Sequence, residues 1–442
     1  MTHTPQYGFI PAISIVVANM IGTGVFTSLG FQLLGIQSPF AILMLWALGG
    51  AAAFSGAVAY AEMGAALKRS GGEYQFLARI FHPGAGFVSG WISASIGFAA
   101  PTALAAMTFA AYLTAAIAPD AGYVAKSAIA IALIVSLTLV HGARRRASAA
   151  LQTVFTAIKV IVIAAFCFAA FFVFDDPQAI DFLPRDGDGA VIANAGFAVA
   201  LIYVSFAYTG WNAATYLTSE IERPERNLPI ILAAGAIIVT VLYIALNASF
   251  LIAAPMDALA GEIEVGFIAA VAMFGETAGA WTAIIMAGLL VSTVSAMTIA
   301  GPRVLHAIGE DYAIFRKLAK VNADGLPTRA IFFQSALAIV FIISGSFESI
   351  LVFAGSLVAL NSFAAVCGLY VLRFREPDLP RPYRAFGYPV VPAIYLAVTG
   401  WALIYALSTR PMEAVFVVGV LASGVALYLF ARQTGAPDRS DL

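Results

Sequence analysis

Charge is scarce in this chain. Of its 442 residues, 11% are charged and 61% are hydrophobic, and the mean hydropathy is +0.92. Soluble domains carry about 25% charged residues, so this composition excludes a soluble globular protein and indicates a polytopic membrane protein. The net charge of −1 provides no general attraction to nucleic acid, and we expect no nucleic acid partner.

Cysteine is scarce as well. The chain has two cysteines, Cys167 and Cys367, and both lie inside apolar runs rather than in loops. We therefore expect neither a structural disulfide nor a disulfide-linked partner subunit. The sequence has no histidine–carboxylate pattern with metal-ligand spacing and no Walker-type phosphate loop. It predicts no metal, no cofactor, no use of ATP and no enzymatic activity.

Long apolar runs, by contrast, are abundant. A helix needs roughly 20 apolar residues to cross hydrocarbon about 30 Å thick, and the alternating ten-residue segments of an outer-membrane barrel are absent. The sequence predicts an all-α polytopic membrane protein with twelve transmembrane helices. The twelve runs are 9–34, 39–64, 84–117, 124–141, 148–174, 191–219, 228–252, 264–301, 328–345, 348–372, 389–408 and 413–431.

Basic residues concentrate on one side of these runs. Nineteen Lys and Arg residues lie in loops on the side of both termini, whereas the opposite loops hold three, Lys126, Arg185 and Arg410. By the positive-inside rule, both termini are predicted to be cytoplasmic. The first run lacks signal-peptide features, so we expect it to be retained as a span. The alanine- and glycine-rich composition favours a bacterial cytoplasmic (inner) membrane.

The two longest loops on the side of the termini are 65–83 and 302–327. Each mixes charged residues with scattered apolar ones. This pattern predicts short amphipathic helices that lie at the membrane interface.

Weak helix formers occur at mid-membrane depth in two of the runs. They are Ile21 to Phe26 in the first run and Phe206 to Trp211 in the sixth. A helix in lipid must satisfy its own backbone, so such breaks are tolerated where they face protein, water or a ligand. A pair of breaks in corresponding positions of two halves indicates a transporter's substrate site. The alternative is that the glycines only allow close helix packing.

The position of the breaks also suggests a division of the chain. If they belong to the first and sixth spans, the chain consists of two inverted repeats, 1–174 and 175–373, followed by 374–442 with the last two spans. Amides at the start of a half-helix attract a carboxylate, and free carbonyls accept hydrogen bonds from an ammonium. The two breaks together therefore favour a zwitterionic ligand.

Lys159 is the one basic residue deep inside a span, roughly 18 Å from the helix end at 1.5 Å per residue. A charge at that depth costs at least about 2.5–3.5 kcal/mol and marks function, unless the side chain snorkels to the interface. It is either a fixed cation or one that loses its proton. Ser292, Thr293 and Ser295 form a hydroxyl cluster in the eighth run, which belongs to a site or bonds to its own helix.

Several short motifs, taken in order, carry a resemblance to a known family. The chain resembles the amino acid–polyamine–organocation transporters over nearly its whole length, and in pattern it is most similar to bacterial relatives of the L-type amino acid exchangers. The motifs are Ile21–Phe26, Gly71–Tyr74, Gly86–Trp91, Phe206–Asn212, Glu220–Pro229, Gly301–Arg303 and Arg381–Arg384.

The resemblance implies a LeuT-like fold, that is, a five-plus-five inverted repeat with helices 1 and 6 interrupted, plus two C-terminal helices. It also implies alternating access by rocking of spans 1, 2, 6 and 7 against a scaffold. The substrate carboxylate is expected on amides of the first break and its amino group on carbonyls of both breaks. The implied substrate-binding residues are Ile21, Gly22, Thr23, Gly24, Phe206, Ala207, Thr209 and Asn212, with Phe206 as the gate.

The resemblance further implies a coupling site. Lys159 matches the span-five lysine that occupies the place of a sodium ion in sodium-independent members. Ser292 and Ser295 lie near the expected sodium ligands of span eight. Related exchangers often have glycine in place of Thr209, which predicts a narrower side-chain pocket here.

These observations lead to one hypothesis and several alternatives. We expect a sodium-independent secondary transporter of neutral L-amino acids in a lipid bilayer, an exchanger for small side chains. A proton-coupled amino acid importer, or a carrier of cationic amino acids or polyamines, is the nearest alternative. An amino acid sensor or a channel is the alternative from a different class.

Overall fold

The computed structural model describes residues 8–67, 70–143, 149–322 and 327–433, and all structural statements concern these residues. In its described part, the chain consists of helices joined by turns and loops. Its helices are α1 Phe9–Met20, α2 Gly24–Leu33, α3 Pro39–Leu67, α4 Gly72–Ile80, α5 Pro83–Ile92, α6 Ala99–Ile117, α7 Tyr123–Ala143, α8 Ala149–Phe172, α9 Asp188–Ile192, α10 Ala195–Ala207, α11 Pro224–Ala253, α12 Met256–Leu259, α13 Val265–Asp311, α14 Arg316–Ala319, α15 Thr328–Ser344, α16 Phe347–Arg375, α17 Val390–Thr409 and α18 Pro411–Gln433.

Among the described residues, ten helical segments are long and apolar enough to cross a membrane. Two shorter apolar helices, Ala195–Ala207 and Thr328–Ser344, lie at the two remaining predicted runs. The prediction of an all-helical, multi-pass membrane protein is confirmed. The exact number of twelve spans stays a prediction, as does the division at 174 and 373.

Both predicted helix interruptions are present. α1 ends at Met20 and α2 begins at Gly24, so three residues separate the halves of the first span. α10 ends at Ala207, and the chain continues through turns into a 3₁₀-helix, Ala213–Glu220. The third span holds a further irregularity, a π-helical turn at Ser93–Gly97 between α5 and α6, a feature that recurs at functional sites.

The prediction of a short helix in loop 65–83 is confirmed, and its position at the membrane interface stays a prediction. α4 forms there, but every residue in it except Arg79 is buried. It packs against α5 and α16 inside the protein, because its glutamate and tyrosine find polar partners there and its apolar residues join the core.

The described part of loop 302–327 also contains short helical segments, and their position at the membrane interface stays a prediction. α13 continues to Asp311 with Pro302 inside it, and a 3₁₀-helix, Ala313–Phe315, and the four-residue α14 follow. At 1.5 Å per residue, its 47 residues are far longer than a span needs. The helix departs from helical geometry at Gly275, where φ is +77°, so it consists of two segments.

A buried carboxylate fixes the ends of α3 and α16 to the same face. Glu62 is fully buried, and Arg373 and Arg381 pair with it at 2.5 and 3.2 Å. The backbone amide of Ala385 also donates to Glu62, at 2.6 Å. Because a buried charge is stable only when it is paired and hydrogen-bonded, this cluster anchors both helix ends at the side where α1 begins. We call that side the terminal face.

The two interruptions lie between packed groups of helices. α11 runs along α3, and α13 runs along α6. α1 packs on α8 and α11, while α10 packs on α16 and α17. The irregular backbone of both breaks is therefore enclosed by protein, as a membrane requires.

Candidate functional site

The two breaks touch each other. A Cβ added to Gly24 would lie 2.5 Å from the Cα of Ala207. Gly210 has φ +98°, and a Cβ there would lie 2.7 Å from the carbonyl carbon of Asn19. Only glycine fits at both positions, since any side chain would collide with backbone. The start of α2 and the end of α10 thus form one unit.

Tyr243 of α11 joins the two breaks chemically. Its hydroxyl lies within hydrogen-bond distance of the Met20 carbonyl (2.5 Å) and the Ala207 carbonyl (3.0 Å). These are the last helical residues before each break, where carbonyls lose their intrahelical partners. One buried phenol therefore serves the carbonyl ends of both half-helices.

Lys159 lies at the first break. Its side chain is 2% exposed, and its Nζ donates to the Ile21 carbonyl at 3.2 Å and to Thr293 Oγ1 at 2.8 Å. The lysine thus reaches inward from α8 to α13 and the broken first span rather than snorkelling. It places an ammonium beside the carbonyl that the resemblance assigns to the substrate site. Its role in transport stays a prediction.

The structure separates the two predicted serines from this lysine. Ser292 Oγ donates to the Leu289 carbonyl of its own helix at 2.8 Å. Ser295 Oγ lies 2.8 Å from His141 Nε2 on α7. Thr293, between them in sequence, is the residue that contacts Lys159, because on a helix adjacent residues point in different directions.

The amide end of α2 is held in place by hydroxyls of α6. Thr23 shares a short hydrogen bond with Thr108. Tyr112 donates from its hydroxyl to the Phe26 carbonyl at 2.8 Å and accepts from the Gly266 amide at 3.0 Å. The Gly22 amide donates to the Met20 carbonyl at 2.8 Å, whereas the first amides of α2 have no intrahelical acceptor and favour an anion. Gly22, Thr23 and Gly24 therefore form a fixed, positively polarised corner.

At the second break, Phe206 and Ala207 are each 3% exposed. The Phe206 carbonyl accepts hydrogen bonds from the Thr209 amide (3.0 Å) and from Thr209 Oγ1 (2.7 Å). Thr209 thus satisfies the carbonyl that is predicted to bind a substrate ammonium. A ligand at this position has to share that carbonyl.

A small cavity opens on the other side of the second break, between α3, α10, α16 and α17. The cavity has a volume of about 40 Å³, which is room for a few water molecules. Thr209 and Asn212 are the predicted substrate residues that line it, and the lining carries no charged side chain. The lining residues are Gly49, Ala52, Ala53, Ser205, Tyr208, Thr209, Gly210, Trp211, Asn212, Gly355, Val358, Ala359, Ser362, Tyr395 and Thr399.

The amide nitrogen of Asn212 is not free in this cavity, because Asn212 Nδ2 donates to Glu73 Oε1 at 2.6 Å.

Sequence reasoning missed Glu73 as a site residue, and it also missed Tyr112, Tyr243 and the contact of Thr293. A signal existed for Tyr243, a polar phenol inside the apolar run 228–252. For the others, only the fold shows which group each one meets.

Replacing Tyr243 by Phe removes the hydroxyl that serves both breaks. We expect a lower thermal unfolding temperature in detergent, because an unsatisfied buried carbonyl costs about 1–3 kcal/mol. The matched control is Tyr370→Phe, which removes a hydroxyl bound to the Pro389 carbonyl at 2.6 Å on a half-buried tyrosine. An equal decrease in unfolding temperature for both variants would contradict the special position of Tyr243.

Comparison with known proteins agrees with this geometry. A family model described as amino acid permease matches residues 7–430. The b(0,+)-type amino acid transporter 1 of Mus musculus is 27% identical over 435 residues, which cover 96% of this chain and 87% of that protein. The large neutral amino acids transporter small subunit 2 of Oryctolagus cuniculus is 27% identical over 442 residues, covering 96% and 79%. The chain therefore belongs to the amino acid permease family and is a membrane transporter of amino acids, not an enzyme.

Proposed function

We propose that this protein is a sodium-independent exchanger of small neutral L-amino acids that works by alternating access. The observation that carries this proposal is the contact of Lys159 Nζ with the Ile21 carbonyl and Thr293 Oγ1. An ammonium at this point satisfies the oxygen groups that would otherwise suit a small cation. A sodium ion added there would meet a positive charge in a poorly solvated place, which is unfavourable.

The substrate's two charged groups fit the two kinds of backbone end at the breaks. The amides of Gly22, Thr23 and Gly24 favour a carboxylate. The carbonyls of Phe206 and Ala207 favour an ammonium, which displaces or shares the hydroxyls of Thr209 and Tyr243 that now bind them. With Ile21 and Asn212, these are the proposed substrate-binding residues, and Phe206 is the proposed gate.

A neutral and small side chain is supported by the cavity beside the second break. Its lining carries no charged side chain, and its space is about 40 Å³. A cationic side chain would need a free acidic partner there, whereas the nearby carboxylate of Glu73 is already bound by Asn212 and Ser362 of the lining. A bulky side chain would need more room. Thr209 stands between this cavity and the Phe206 carbonyl, so its side chain limits the size of the substrate.

Membrane orientation and assembly follow from charge and cysteine placement. We assign the terminal face to the cytoplasm because the loops predicted from the sequence on the side of the termini contain nineteen of the basic residues. Composition supports a bacterial cytoplasmic membrane, although the relatives named above are mammalian.

One relative is named a small subunit. Since Cys167 and Cys367 lie within helices α8 and α16, any partner subunit here binds without a disulfide.

The test is uptake of labelled alanine into sodium-free proteoliposomes, with and without unlabelled alanine inside. Exchange predicts uptake only into the preloaded vesicles, because the empty carrier, with Lys159 charged and no substrate, changes state slowly. Equal uptake into both kinds of vesicle would contradict exchange. A steep pH dependence would indicate proton coupling, and competition by arginine would indicate a cationic substrate. Binding of alanine without flux would indicate a sensor.

Lys159→Met keeps the length of the side chain but removes its charge. We expect alanine exchange to fall by roughly 10- to 100-fold at unchanged protein yield, since a hydrogen bond to a charged group is worth about 1.5–3 kcal/mol. The control is Lys126→Met, at a half-buried lysine of α7 whose Nζ lies 4.0 Å from Glu264. Wild-type exchange by Lys159→Met would refute the proposed role.

Thr209→Gly removes the side chain that narrows the cavity. We expect the affinity for leucine to improve relative to alanine by about tenfold or more, the scale set by hydrophobic groups in a binding pocket. Competition of labelled alanine uptake by unlabelled leucine measures this ratio. Thr209→Ser, which keeps the hydroxyl, should give a smaller change. An unchanged ratio in Thr209→Gly would show that Thr209 does not set substrate size.

A further inference from the structure

Glu73 is a buried carboxylate at the start of α4. It is 2% exposed, and none of the ion pairs among the described residues includes it. Its oxygens instead accept from four neutral donors. These are Tyr60 Oη (3.0 Å), Asn212 Nδ2 (2.6 Å), Ser362 Oγ (3.1 Å) and the hydroxyl of Tyr216 at a shorter distance.

The four donors come from different parts of the fold. Tyr60 lies on α3, the second span. Asn212 and Tyr216 lie on the non-α-helical half of the sixth span, and Ser362 lies on α16. If spans 1, 2, 6 and 7 move against the others, as the proposed function implies, three donors belong to the moving group and one to the scaffold. Glu73 itself leads into the third span, on the scaffold side.

The position of Glu73 places this junction near the terminal face. α3 ends there, as the pairing of Glu62 with Arg373 shows, and α4 follows directly. Asn212 and Ser362, which bind Glu73, also line the cavity at the second break. The carboxylate and its donors therefore close the cavity toward the terminal face.

Separation at this junction is costly because of the carboxylate's surroundings. Hydrogen bonds to a charged group contribute more than neutral ones, and a buried ion without partners is strongly destabilised. If the second and sixth spans move away, Glu73 loses three of its four donors, and no ion pair among the described residues includes it.

The opposite face has a different kind of carboxylate junction. The Tyr203 hydroxyl of α10 donates to Glu348 Oε1 at 2.7 Å, and Arg410 Nη2 donates to the same oxygen at 2.6 Å. Glu348 lies at the start of α16, at the other end from Arg373. Its side chain is 28% exposed and that of Arg410 is 38% exposed. When Tyr203 moves away, Glu348 keeps a guanidinium and has access to water.

We propose that Glu73 is a positioning residue for transport. It holds the sixth span's non-α-helical segment through Asn212 and Tyr216, and it makes the terminal face harder to open than the opposite face. The resting carrier is therefore closed toward the terminal face. This inference rests on the moving and fixed groups of the proposed function, but it does not depend on which amino acid is carried.

The test measures access to the cavity from each face. Ala359 lines the cavity and is 6% exposed, and Ala359→Cys in a chain with Cys167→Ala and Cys367→Ala gives a single thiol. A membrane-impermeant maleimide is applied to either side of proteoliposomes whose orientation is scored with a protease-sensitive terminal tag. No substrate is present, so failure of this test is distinguishable from failure of the proposed exchange.

Glu73→Gln removes the charge and keeps the shape. We expect labelling from the terminal face to become about tenfold faster, equivalent to about 1.4 kcal/mol, with no increase from the opposite face. Tyr203→Phe is the matched control at the other junction, and it should raise labelling from the opposite face only, by a smaller factor.

Two results would overturn the inference. One is an unchanged labelling rate in folded Glu73→Gln, as judged by size-exclusion chromatography. The other is an equal increase from both faces, which would indicate general loosening of the helices. If Glu73→Gln does not fold, Tyr216→Phe removes one donor and leaves the carboxylate intact. It should give a smaller increase from the terminal face, and no increase would again reject the role of Glu73.

Discussion

The structure depends on how backbone carbonyls are satisfied where two membrane helices stop halfway. Lipid offers no hydrogen bonds, so each carbonyl freed by a break needs a partner from the protein or a ligand. Tyr243 serves Met20 and Ala207, Lys159 serves Ile21, and a threonine serves Phe206. The partners are a phenol, an ammonium and a hydroxyl, and each can be displaced or shared. At the proposed substrate site, a substrate ammonium would therefore replace existing hydrogen bonds rather than create new ones, which would keep its binding reversible.

The amide side of the first break is treated differently. Thr108 and Tyr112 hold α2 through the Thr23 hydroxyl and the Phe26 carbonyl, and neither of these contacts uses the leading amides. The Gly22 amide donates to the Met20 carbonyl at 2.8 Å. At the proposed substrate site, the carboxylate thus meets a corner whose backbone is held by α6, while the ammonium meets carbonyls with exchangeable partners. This difference favours recognition of the carboxylate that all amino acids share. In the proposed function, selectivity depends on the cavity beside Thr209, which is small and is lined by no charged side chain.

Much of this arrangement is predictable from sequence, and the reason is physical. Glycines at mid-span and a lysine deep in an apolar run are unusual in membrane helices, so the breaks and Lys159 can be recognised from the sequence alone. The hydrogen-bond partners of these residues are not predictable in the same way, because they depend on tertiary contacts. Thr293 contacts Lys159, and the neighbouring serines do not form this hydrogen bond. The rotation of α13 about its axis determines which of these residues faces the lysine. α4 has the charge mixture of an interfacial helix, yet it is buried because Glu73 finds four donors inside the protein.

The two interpretations of the glycines, close packing or a binding site, are not alternatives in this fold. Gly24 has no room for a Cβ because Ala207 of the other break lies against it, which is a packing requirement. The same contact brings the amide corner of α2 next to the carbonyl end of α10. A zwitterion is small, so its two charged groups reach both ends only if the half-helices touch. Close packing at Gly24 is therefore a condition of the proposed substrate site, and a larger residue there would separate its two halves.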